Sequence, residues 1–216
     1  VTTAEYEVFN ATSESVGLRK TPRQTRSRSR VDSLVRALLE LVDEPGSEPS
    51  RITTTDVARR GGFPIGSLYE YFEDLDKVVD AAVAYSIRRH TEILDETTNE
   101  SLADISALME VLIASYARLY GDDPALLSLR TSTLFQPHHR AWVRDHLQHF
   151  IRTSAAPGSA LEEFAARTDL MRRLGLFVAV SETVLRHAHE AEAEHAAEFT
   201  GQCLELLRST MHHVAD

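Results

Sequence analysis

Ten histidines in 216 residues put metal binding first among the chemistries to weigh, since neutral imidazole is the commonest protein metal ligand. His146 and His149 are spaced three apart, and Glu192-Ala-Glu-His195 supplies one Glu-x-x-His. A di-iron bundle needs two such pairs and two further inward carboxylates, and there is no second pair. His-Glu-x-x-His is absent, and the single Cys203 can neither build a thiolate site nor form an intrachain disulfide. His138-His139 and His212-His213 are neighbours, expected to point to different helix faces. Every histidine except His146 therefore reads as a solvated or capping side chain. His146 shares an apolar face with Trp142 and Phe150, where a structural hydrogen bond and a ligand contact are equally suited. No metal and no cofactor is expected. Neither a glycine-rich phosphate loop nor a Gly-x-Ser-x-Gly elbow occurs, and no Ser, His and Asp spacing selects a triad. The expectation is a protein that is not an enzyme.

A different chemistry, that of phosphate and base-edge recognition, is written between residues 19 and 77. Arg19, Lys20, Arg23, Arg26, Arg28, Arg30 and Arg36 meet only Asp32. The net charge of −10 is unevenly spread: residues 17–90 hold 13 basic and 11 acidic side chains, and residues 91–216 hold 10 basic and 19 acidic. DNA binding needs a local basic surface rather than a basic whole. Beside it, Ile52 to Phe72 reads as two short helices joined by a glycine turn. Thr53 is an N-cap and Asp56 completes a capping box. Val57 and the small Ala58 face inward. One of Gly61 and Gly62 takes the left-handed conformation that ends a helix, and Pro64 suits the first turn of the next. Ile65, Leu68 and Phe72 or Tyr71 recur at helical spacing. This is a helix-turn-helix pattern, whose second helix can enter a major groove.

Residues from about Thr21 to Val83 resemble the N-terminal domain of the TetR family of transcriptional regulators. The resemblance rests on Thr53, Val57-Ala58, Gly61-Gly62, Phe63 and the run Gly66-Ser-Leu-Tyr-Glu-Tyr-Phe72. The family pattern then places Lys-Glu at the start of the next helix, whereas this chain has Leu75-Asp76, with Lys77 one residue later. The resemblance implies a homodimeric, ligand-responsive regulator, a repressor by preference, with double-stranded DNA and a small-molecule effector as partners. In that reading Pro64 to Tyr71 enters the groove, and Ile65, Gly66 and Ser67 approach base edges. Thr53, Thr55, Tyr69, Tyr71 and Lys77 hold phosphates, joined by Arg26, Arg28 and Arg30. Two other readings stand beside it: a constitutive DNA-binding protein without effector, and a helical enzyme or metal-binding bundle.

The elements that must position these residues follow from period and punctuation. The fold class expected is all-α, with an N-terminal three-helix helix-turn-helix domain followed by a helical ligand-binding and dimerisation domain. The divisions are a flexible arm over 1–20, the DNA-binding domain over 21–80 and the helical domain over 81–216. A first helix from about Arg26 to Val42 buries Val31, Leu34, Val35, Leu38 and Leu41 or Val42. A longer helix starts at Asp74 or Asp76. Further helices carry the stripe Leu102 to Tyr120, Pro124 to about Phe135, His138 to Thr153, and Leu161 to Ala166. Tyr116, Tyr120, Arg130, Phe135, Trp142, His146, Phe150 and Phe177 line the effector site that the resemblance places among these helices. Two final helices carry wide apolar stripes that one pair cannot bury alone. Leu174, Val178, Leu185, Phe199, Leu206 and Met211 are accordingly assigned to a dimer interface. The chain shows no membrane span and no signal peptide, and with its lone cysteine it fits a cytoplasmic protein.

Overall fold

The computed structural model describes residues 16–19, 25–98, 101–167 and 182. The expected dimer residues Leu174, Val178, Leu185, Phe199, Leu206 and Met211, and the expected ligand residue Phe177, lie outside them. The described chain is all-helical: α1 (Thr25–Asp43), a 3-10 turn (Pro49–Arg51), α2 (Thr54–Arg60), α3 (Ile65–Tyr69), α4 (Leu75–Thr97), α5 (Ile105–Asp122), α6 (Pro124–Thr131), α7 (Pro137–Ser154) and α8 (Ala160–Ala166). It forms two compact units, Val1–Arg89 with Ser128–Val143, and His90–Leu127 with Arg144–Asp216. The division falls within α4, α6 and α7.

In the first unit, α1 buries the expected stripe of Val31, Leu34, Val35, Leu38 and Val42, and adds Ala37 and Leu39. Helix α2 packs on α1 and α3 packs on α2, with Val57, Ala58, Leu68 and Phe72 closing the core. Each fully buried leucine or phenylalanine contributes about 1.5–3 kcal/mol, so Leu34, Leu38, Leu68 and Phe72 are the main hydrophobic fasteners of this small unit. Helix α4 adds Val78, Val79, Ala82 and Val83. Its first turn is held by the Asp74 carboxylate, which accepts from the Lys77 N–H at 2.9 Å.

Two boundaries differ from expectation for local reasons. Helix α6 stops at Thr131 rather than near Phe135, because the Ser132 hydroxyl donates to the Leu129 carbonyl at 2.7 Å and accepts from the Leu134 N–H at 3.2 Å. A serine that satisfies the backbone in this way competes with the helix. In the second unit Leu102 precedes α5, which is capped instead by Asp104 accepting from the Ala107 N–H. Leu102 forms an isolated parallel bridge with Ala155, donating to the Ser154 carbonyl at 2.7 Å and accepting from the Ala156 N–H at 2.8 Å. Helix α8 packs on α5. No helix among the described residues is long and apolar enough to cross a membrane.

Candidate nucleic-acid interface

The turn between α2 and α3 is built as its residues dictate. The Thr53 hydroxyl accepts from the Asp56 N–H at 3.3 Å, and the Asp56 carboxylate accepts from the Thr53 N–H at 3.0 Å and from its hydroxyl at 2.6 Å. These hydrogen bonds, assisted by Arg59, hold the Asp56 carboxyl below the usual carboxylate range. At the other end the Phe63 N–H reaches the Ala58 carbonyl at 2.9 Å, and Gly62 sits at φ +75°. That left-handed position suits glycine and closes α2. Gly61 has ordinary helical dihedrals. A Cβ there would press on the Val57 carbonyl at 3.3 Å and on Leu34 at 3.4 Å.

Helix α3 then presents an unusual face. Ile65 is 38% exposed and Tyr69 44%, and they are the large hydrophobic side chains left exposed among the described residues. Four apart on a helix, they lie on one side, while Leu68 between them is fully buried. Pro64 and Gly66 are exposed, Ser67 is half-buried, and Gly66 has open space where a Cβ would stand. The Tyr69 hydroxyl lies 3.1 Å from the hydroxyl of Thr54. Thr54 was not among the residues expected to act here; the signal that points to it is the engagement of its neighbour Thr53 in the cap, which leaves the next hydroxyl to face α3. Thr55 is exposed.

The other expected DNA contacts are dispersed. Arg26, Arg28 and Arg30 are exposed on the first turns of α1, and the Arg30 guanidinium rests 5.9 Å from the Phe63 ring centre. Arg59 and Arg60 pair with Asp56 and with Glu40 and Glu44 of their own unit. Tyr71 is buried at 6% exposure, and its carbonyl accepts from the Arg19 N–H at 2.7 Å. The Lys77 ammonium donates to the Asp80 carboxylate at 2.9 Å, a pairing that raises its pKa.

Asp80 anchors a second cluster in this unit. His138 Nε2 and His139 Nε2 lie 3.1 and 2.9 Å from the same Asp80 oxygen. The expectation that these neighbours diverge to different faces fails. Their rings, with centres 3.9 Å apart, converge on one carboxylate that sits across the start of α7. Of the two roles expected for it, solvated or capping, His139 takes the second: it is fully buried, and its Nδ1 accepts from the N–H of Gln136 just before α7. Two histidines and a carboxylate are a familiar metal-ligand set, and their ligand atoms lie within 4.8 Å of one another. The hydrogen bonding opposes that use. His139 Nδ1 accepts from the Gln136 N–H at 3.0 Å, so the ring proton resides on Nε2 and points at Asp80. A metal-bound imidazole instead donates from its second nitrogen. Burial alone would raise the Asp80 pKa, but hydrogen bonds from His139, Lys77 and His138 outweigh it and hold the carboxyl well below its ordinary range.

The residues expected to line an effector site fall into two groups, one in each unit. In the first, the buried Arg130 guanidinium lies 5.5 Å from the Phe135 ring centre, and the half-buried Trp142 meets His138 and His139 edge-on. In the second, Tyr116 and Tyr120 stack at 5.7 Å, and His146 and Phe150 are buried. His90, expected to be a solvated or capping side chain, is instead buried among them, its ring centre 4.3 Å from that of Tyr116. The Ser115 hydroxyl donates to the Leu112 carbonyl at 3.0 Å and so accepts from His90 Nε2 at 2.9 Å. His90 Nδ1 is then the acceptor for His146 Nε2 at 3.3 Å. The Tyr120 hydroxyl donates to Glu182 at 2.9 Å.

A TetR-family transcriptional regulator from Streptomyces coelicolor matches this structure with a TM-score of 0.58, over 86% of this chain and 99% of that one, at 20% identity. The likeness shows a shared fold, an all-α chain with a helix-turn-helix at its N-terminal end. A TetR family regulator from Chloroflexus aurantiacus matches at 0.47, 19% identical over 89% of this chain and 91% of its own. A gamma-butyrolactone receptor described as ArpA-like matches at 0.44, 17% identical over 88% and 99%. No family model and no curated protein matches the chain by sequence.

Proposed function

We propose that the chain is a transcriptional regulator that binds double-stranded DNA as a homodimer and releases it on taking up a small apolar effector, acting as a repressor. The observation that carries this reading is the face of α3. A helix of five residues in a well-packed unit leaves Ile65 and Tyr69 in water, although burying either would be favourable. An aliphatic side chain beside Gly66 and Ser67 suits a thymine methyl and the base edges around it. The Thr54 and Tyr69 hydroxyls suit phosphate oxygens. Lys77 would have to leave Asp80 to reach a phosphate, so the exposed Arg26 is the better backbone contact. The buried hydrogen-bonding groups around Tyr116, Tyr120 and His146 would orient the effector.

Selection from random duplexes at low salt tests the reading. The expected product is an inverted repeat with half-sites about 34–36 Å apart, or a multiple of that spacing, bound with an affinity that falls steeply as salt rises. Selection without palindromic enrichment would overturn it.

A further inference from the structure

Between Tyr69 and Lys77 the chain supplies four carboxylates, those of Glu70, Glu73, Asp74 and Asp76, and all four residues are exposed. They would repel a phosphate approaching the Tyr69 hydroxyl. Lys77, the first basic residue after them, has its ammonium on Asp80 at 2.9 Å. Another cation reaches this junction of α3 and α4 from a distant part of the chain. The Arg19 N–H donates to the Tyr71 carbonyl at 2.7 Å, two residues past the end of α3, while Arg19 itself is exposed.

That approach depends on Gly17. Its φ is +76°, and a Cβ there would stand 2.2 Å from the Lys77 carbonyl oxygen and 3.2 Å from the Ala81 nitrogen and the Asp80 Cβ. Only glycine combines this left-handed backbone with so close a passage over the first turns of α4. Val16 and Leu18 on either side are half-buried. The segment 16–19 is thus fixed at two points, on α4 through Gly17 and behind α3 through the Arg19 N–H. A guanidinium carried on a fixed backbone loses less freedom on binding than one on a loose arm, and its forked donors match phosphate oxygens.

We infer that Arg19 is a DNA phosphate contact at the junction of α3 and α4, with Gly17 as its positioning residue; the inference rests on the DNA binding proposed above. The test titrates the full chain against the duplex recovered by the selection above, over a range of salt concentrations. Arg19→Gln is expected to weaken binding at least about tenfold at about 0.1 M salt. It should also make the plot of log affinity against log salt shallower by about one unit per protomer. Arg19→Lys, which keeps the charge, should keep the slope. Arg152→Gln, which removes the same charge from an exposed site in the second unit, should keep it too. Gly17→Ala should match the loss in Arg19→Gln, and the double variant G17A/R19Q should be no weaker than Gly17→Ala, because both act through one contact. Gly46 has the same φ of +76° with open space where a Cβ would stand, so Gly46→Ala carries the backbone strain alone and should bind as wild type does. An unchanged slope in Arg19→Gln, with wild type binding the duplex, overturns the inference and leaves the proposed function standing. A wild type that binds no duplex overturns both. Should Gly17→Ala fold poorly, Arg19→Gln and Arg19→Lys, altered only at an exposed side chain, decide the contact.

Discussion

Tyr69 and Ile65 share a face of α3 but have different chemistry to offer. Tyr69 brings a hydroxyl that is already within 3.1 Å of Thr54, an arrangement suited to a phosphate oxygen, whereas Ile65 brings only shape. On the proposed function, Tyr69→Phe is expected to weaken binding to all duplexes alike by about 1 kcal/mol through one lost hydrogen bond. Ile65→Ala should leave overall affinity closer to wild type while relaxing preference at one base position in each half-site. Competition binding against a library of single-base operator variants separates the two. A changed sequence preference in Tyr69→Phe, with none in Ile65→Ala, would reverse the roles.

At the scale of elements, Asp80 ties the first turns of α4 to the start of α7 through Lys77, His138 and His139. Its carboxyl is almost wholly buried, and its pKa is depressed by donors that favour the charged form. A folded-state pKa below the unfolded value contributes stability above the unfolded pKa of about 4, and that contribution is lost as pH falls below it toward the folded value. Asp80→Asn should therefore destabilise the protein at neutral pH by about 1.5–3 kcal/mol. The gap between variant and wild type should narrow as pH drops below about 4. Urea melts at several pH values read this directly, and a gap that stays constant down to strongly acid pH would refute the assignment.

For the whole molecule, α4 is the element of interest, since it runs from Leu75 to Thr97 and contributes to both units. On the proposed function, a ligand that repositions α4 would change the spacing of two recognition helices in a dimer matched to fixed half-sites. Its effect on DNA affinity is limited to its preference for the released arrangement, typically about 1–3 kcal/mol. Trp142, the single tryptophan, reports on this region because it packs edge-on against His138 and His139. Compounds that quench its fluorescence should release operator DNA, and Trp142→Ala should blunt the response while leaving DNA binding intact. Quenching to saturation with unchanged operator affinity would count against an effector switch.

The helix-turn-helix was legible from residues alone because its determinants are local. The Thr53–Asp56 capping box, the left-handed Gly62 and the α1 stripe each act within a few residues of chain, where helical period and backbone sterics decide the outcome. The choice among adjacent candidates was not legible in that way. Thr53 is used by the cap and Thr54 faces Tyr69, while Lys77 is drawn to Asp80. The polar clusters were hidden for the same reason. His138 and His139 meet a carboxylate 58 and 59 residues earlier, and His146 meets His90 across 56. Periodicity assigns a residue to a face of its own helix, but only the packing of one helix on another determines which polar group waits opposite it.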